Sequence, residues 1–121
     1  MQISRVYFLV KDPHWAFIGW ERTEELQKES KEAQLMLRIH DVTHIIFNGQ
    51  NSHSYFDVEV IGETDHWYLH IPVSNRNYCV ELGMKKKDGR FYLISRSNMI
   101  YLPRDYFSVD SPVEWSMIDI E

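Results

Sequence analysis

Cysteine occurs once, at Cys79, so this chain can close no internal disulfide and can build no cysteine-rich zinc site. Glycine numbers five in 121 residues, and none of them forms a phosphate-cradling loop. Neither a G-x-S-x-G elbow nor an H-E-x-x-H helix motif is present, so two common hydrolytic signatures are missing. No apolar run approaches the ~20 residues that cross a bilayer, and no early apolar segment follows a basic start. The expectation is a soluble, cytoplasmic protein with no membrane partner. Surplus positive charge is also lacking. Of the eighteen acids, five (Asp105, Asp110, Glu114, Asp119, Glu121) lie at or beyond position 105, where there is no base; the remaining acids equal the thirteen bases. A balanced body argues against nucleic acid, whose binding needs a concentrated cationic face. The cluster Lys85-Lys86-Lys87 reads as a solvated turn.

Apolar material is plentiful by contrast. Hydrophobic residues make up 44% and aromatics 14%, enough to exclude disorder over most of the chain. At this length one domain buries roughly 65% of its unfolded surface. The densest stretch is Lys11 to Glu21, which opens on an Asp12-Pro13 turn and holds Trp15 and Trp20.

Period-two alternation dominates, so strands are expected. Arg5 to Val10 is a first strand. Trp15 to Glu21 is a second, with Trp15 and Phe17 on one face and Ala16, Ile18 and Trp20 on the other. Both of its faces are apolar, which predicts a strand covered on both sides. Thr23 can cap a short surface helix running to Ala33, supported by Glu24, Lys28 and Glu32 at i,i+4 spacing. In Leu35 to Val42, Leu35, Leu37 and Ile39 point inward against Met36, Arg38 and His40. Thr43 to Tyr55 is a long loop containing Ile45-Ile46-Phe47. Phe56, Val58 and Val60, then Trp67, Leu69 and Ile71, then Tyr78, Val80, Leu82 and Met84 are further inward sets. Asp88-Gly89 is a strong hairpin signal before Arg90 to Arg96. A last strand spans Met99 to Leu102 and stops at Pro103. Seven or eight short strands with one brief helix predict a mainly β protein: an antiparallel immunoglobulin-like β-sandwich over residues 1–104. Residues 105–121 form an acidic, aromatic C-terminal segment expected to pack on the body or on a partner.

The motifs D-P-x-W…W-E, L-R-I-H-D-V-T (Leu37 to Thr43), F-D-V-E-V (Phe56 to Val60) and W-Y-L-H-I-P (Trp67 to Pro72) resemble the bacterial domain of unknown function family 4912. Y-C-V-E-L-G (Tyr78 to Gly83), D-G-R-F (Asp88 to Phe91) and S-R-S-N…P-R (Ser95 to Asn98, Pro103, Arg104) complete the resemblance, which covers roughly Val6 to Arg104. Gly19 departs from it, standing where an aromatic is expected, and predicts a small gap beside Trp20. The resemblance implies an immunoglobulin-like fold and no assigned chemistry. The half from Trp67 to Gly83 also looks like the immunoglobulin-like modules that accompany glucan-branching and debranching enzymes, a likeness of fold that does not by itself transfer function.

Six histidines invite a metal reading. His40 and His44 lie on a strand running into a loop, however, and His66 and His70 on one strand face are roughly 13 Å apart, too far for one ion. No metal, no cofactor and no enzymatic activity are therefore expected. Two binding roles remain. A protein-interaction or scaffold module, with a protein partner or a second copy, would use Ile45, Ile46, Phe47 and Trp115. A carbohydrate-binding module of polysaccharide metabolism, taking α-glucan, would use Arg38, His40, His66, Tyr68 and His70. The interaction role ranks first from sequence. An exposed tryptophan ring on a flat surface would favour the sugar, whereas Trp15 or Trp20, with Trp67, is expected to fill the interior. Asn98 is expected to bond its own local backbone, and Arg104 to anchor the tail through a carboxylate.

Overall fold

Alternating side chains build seven strands in the computed structural model, which describes residues 5–105: β1 (Val6–Asp12), β2 (Trp15–Trp20), β3 (Gln34–Asp41), β4 (Ser54–Glu59), β5 (His66–His70), β6 (Arg76–Lys85) and β7 (Phe91–Leu102). One helix, α1 (Glu24–Ser30), links β2 to β3. The strands form two antiparallel sheets, β1-β2-β5 and β4-β3-β6-β7. The segment from 106 onward, including Trp115, lies outside the described residues.

The core is the space between the sheets. Phe8, Ala16, Ile18, Trp20, Leu69 and Ile71 enter it from the first sheet, and Leu35, Leu37, Ile39, Tyr78, Val80, Leu82 and Met84 from the second. Phe8, Ile18, Leu37, Ile39 and Leu82 are fully enclosed. Each such side chain contributes about 1.5–3 kcal/mol relative to an exposed one. Helix α1 starts where expected: the Thr23 hydroxyl accepts the Leu26 N–H at 3.1 Å, and the buried Leu26 pins the helix to the body. The Asp88-Gly89 turn closes the β6–β7 hairpin, with Gly89 at φ +79° and its N–H on the Lys86 carbonyl.

Four expectations need correction. The stretch from Phe91 to Leu102 is one strand rather than two, because register shifts against β6 absorb the break in alternation between Arg96 and Met99. Met36 and His40, expected outside, are buried, since the segment after β3 and the neighbouring strands cover that side. Phe56, expected inside, stands exposed on β4, an edge strand of its sheet. Asn98 does not bond locally. Its side-chain oxygen accepts the Phe8 N–H at 3.1 Å and its amide nitrogen donates to the Phe8 carbonyl at 2.9 Å. One side chain on β7 thus imitates a strand along β1 and staples the two sheets together.

Candidate functional site

The outer face of the four-stranded sheet is held shut by charge pairs. Arg38 donates to both oxygens of Asp57, at 2.8 and 3.1 Å, and its guanidinium lies 4.4 Å from the centroid of Tyr55 and 4.2 Å from that of Phe91. His40 is 4% exposed. Its Nε2 donates to Glu81 at 2.6 Å, and its Nδ1 meets the Ser52 hydroxyl at 2.9 Å. Arg96 donates to the other Glu81 oxygen at 2.9 Å. Burial pushes the Glu81 carboxyl up, but the hydrogen bonds from His40 and Arg96 outweigh it and hold the group below its ordinary value.

Ser52, His40 and Glu81 follow the order of a nucleophile, base and acid. Arg96 neutralises the acid, and Phe47 packs over His40 at 4.7 Å between ring centroids. The cluster's evident work is to lock the 43–53 loop onto the sheet. Asp41, the next residue along β3, ties down the start of that loop: burial raises its carboxyl, while Thr43 and Arg76 outweigh this and lower it.

The three-stranded sheet is built differently. Because Ala16, Ile18 and Trp20 fill the core, β2 must turn Trp15, Phe17 and Gly19 outward. Pairing with β5 sets Trp15 opposite His70, Phe17 opposite Tyr68 and Gly19 opposite His66, while β1 adds Leu9 beside Phe17 and Tyr7 beside Gly19. The rings touch along the face. Trp15 meets His70 edge-on at 5.1 Å, Phe17 meets Tyr68 at 5.4 Å, and Phe17 stacks on His66 at 5.8 Å. Lys11 Nζ stands 5.1 Å from the Tyr68 centroid. This face is open: Trp15 is 42% and Tyr68 54% exposed. The expectation that β2 is covered on both sides is therefore corrected.

His14 marks one end of the array, its ring 5.9 Å from that of His70. Its Nδ1 meets the Ile71 carbonyl at 3.0 Å and its Nε2 the Asp105 carboxylate at 2.8 Å. Both partners only accept, so the Ile71 carbonyl first and Asp105 second raise its pKa above 6.5.

The five residues of the sugar reading do not share a surface. His66, Tyr68 and His70 lie on the open face of the first sheet, whereas Arg38 and His40 lie on the second, with His40 sealed under the 43–53 loop. Of the described interaction residues, Phe47 turns in against His40 and Arg96, Ile45 is half-buried, and Ile46 alone stands out, 92% exposed. Single exposed apolar side chains are ordinary. Trp20 is buried and Trp67 partly so, as expected, while Trp15 is not. Among the described residues no group of three His, Cys, Asp or Glu is placed to hold a metal ion, and no helix is long and apolar enough to cross a membrane. Sequence reasoning missed Trp15, Phe17 and Tyr7 as surface residues. The only available signal was the equal apolarity of the two faces of β2.

The family model described as Domain of unknown function (DUF4912) matches residues 2–112. No curated protein matches the chain. Among solved structures, one titled "Myokine structure" is similar over 85% of this chain and 98% of that one, at 13% identity and a TM-score of 0.49, too low to carry an argument. The chain belongs to the DUF4912 family.

Proposed function

We propose that this member of a family without assigned chemistry is a non-catalytic carbohydrate-binding module, and that the outer face of β1-β2-β5 binds an α-glucan chain. The supporting observation is the open aromatic array of Trp15, Phe17 and Tyr68, with the half-exposed Trp15 at its centre line. The apolar faces of pyranose rings pack on such side chains, and their hydroxyls need polar partners at the edge. His66, His70 and Lys11 stand at that edge. A polar rim around an aromatic floor is the usual composition of a small-ligand surface.

This reading is preferred to a protein-interaction role because the apolar loop expected to serve that role has turned Phe47 inward. The module acts in the cytoplasm, a location that suits a chain whose sole cysteine is buried and unpaired. The test is electrophoresis through native gels containing glycogen. The protein should be retarded, and Trp15→Ala or Tyr68→Ala should restore normal mobility. Unretarded migration of the unsubstituted protein, or retardation indifferent to both substitutions, would remove the proposal.

A further inference from the structure

We infer that the first sheet has room for a fourth strand along β5, and that residues 106–121 of this chain dock there as that strand. The inference concerns the free edge and inner side of β5, so it stands independently of the glycan reading.

The two sheets differ in width: three strands face four. Burial shows where cover runs out. Antiparallel pairing sets Val58 opposite Leu37 and Phe56 opposite Ile39, so these four side chains share the inner side of the second sheet. Leu37 and Ile39 are fully enclosed, yet Val58 is half-buried and Phe56 exposed. At the opposite margin Ile100 and Leu102 on β7 are buried. The first sheet therefore stops one strand short above β4. A groove of about 340 Å³ marks the gap, and its apolar lining is Ile39, Phe56, Ile71, Pro72, Val73 and Tyr78.

The backbone of β5 is open on the same side. Ile71 donates to the His14 carbonyl and Trp20 to that of Asp65, which makes 71/14 and 65/20 bonded pairs of the β2–β5 ladder. The alternate residues His66, Tyr68 and His70 then direct their N–H and C=O groups to the far side. Thr64 Oγ1 meets both groups of His66. Tyr68 and His70 have no strand beside them among the described residues, and such an edge is a template for another strand.

The chain delivers a strand to this edge. Asp105, the last described residue, bonds His14, whose other ring nitrogen bonds the Ile71 carbonyl. The chain thus leaves the body beside the end of β5. The sixteen residues beyond can extend over ~50 Å, against ~17 Å for β5. Running back from Ile71 toward His66, they would lie antiparallel to it. Phe107, Val109, Val113, Trp115 and Met117 occupy odd positions, whereas Ser108, Asp110, Pro112, Glu114 and Ser116 occupy even ones. That period of two provides an apolar side for Phe56 and the groove, and an acidic side level with His66 and His70. The segment holds four acids and no base. Pro112 suits a strand with one free edge.

The experiment is amide hydrogen exchange of the intact chain, followed by NMR. The Tyr68 and His70 amides should exchange about tenfold more slowly than in the double variant Phe107→Ser, Trp115→Ser, as an edge covered about nine-tenths of the time requires. The Trp67 and Leu69 amides, which point to β2, should stay protected in both proteins and so report an intact sheet. Asp110→Asn with Glu114→Gln, on the other side of the segment, should cost no more than about threefold. Fast exchange of Tyr68 and His70 in the parent, or protection indifferent to the Phe107 and Trp115 substitutions, would overturn the inference. So would protection that disappears on dilution, which would assign the edge to a second copy of the chain.

Discussion

Replacing Asn98 by alanine tests the way the two sheets are joined. The side chain makes two hydrogen bonds to one residue, accepting the Phe8 N–H at 3.1 Å and donating to the Phe8 carbonyl at 2.9 Å. Phe8 is fully enclosed, so the backbone that Asn98 holds also aims a large core side chain. A hydrogen bond contributes about 0.5–1.5 kcal/mol net, and abandoning a fully buried partner costs up to about 3. Asn98 itself is exposed, so water can reach the orphaned groups and the lower figure applies. Two bonds at about 1 kcal/mol each give a loss of about 2 kcal/mol, which for a domain of this size lowers Tm by about 8 °C. Asn98→Asp keeps the acceptor and loses the donor, so at pH 7 it should recover at most half of the loss. Thermal and urea denaturation followed by circular dichroism would measure both, with the urea m-value unchanged. A Tm for Asn98→Ala within about 3 °C of the parent would show that the staple is incidental and that packing alone joins the sheets.

Other outcomes follow from the charged clusters. Glu81→Ala strands the buried His40 and frees Arg96, and should cost about 3 kcal/mol in urea unfolding; a loss under about 1 kcal/mol would contradict the locking role. Because Glu81 and Asp41 are held below their ordinary values, their stabilisation is present above that range and is lost as pH falls through their lowered values. Their contribution should therefore stay constant down to about pH 4.5 and fall below it, so a loss of stability beginning at pH 6 would disagree. His14 behaves oppositely. Its raised pKa means the contacts to Ile71 and Asp105 stabilise fully below pH 6.5 and weaken as pH climbs through the raised value. An NMR titration of its ring should give a midpoint above 6.5 that falls in Asp105→Asn; a midpoint at or below 6.5 in the parent would refute the clamp.

Much of the sandwich was legible because local chemistry and burial agree. Alternation places Leu37 and Ile39, then Val80 and Leu82 on inward faces, and all are buried. Thr23 and Asp88-Gly89 announced the helix start and the hairpin. What escaped depends on which elements meet. Period two separates the faces of β2 but cannot say which of two apolar faces looks inward, so the open side of Trp15 and Phe17 is not legible there. The array also depends on β2 pairing with β5, some fifty residues away, which brings His66, Tyr68 and His70 opposite them. His40 and Glu81 are 41 positions apart, and Asn98 and Phe8 are 90 apart. Neither pair has a local signature. Gly19 stands out in the sequence, but its neighbours Tyr7 and His66 come from other strands.

The central claim is that the open aromatic face of β1-β2-β5 carries the binding function. Its most direct test is a nitrogen–proton NMR titration of the labelled protein with maltoheptaose. Shift changes should concentrate on the Trp15 indole N–H and on the amides of residues 15–19 and 66–70, leaving β3, β6 and the 43–53 loop unmoved. An unchanged spectrum at millimolar sugar, or changes confined to the four-stranded sheet, would contradict it.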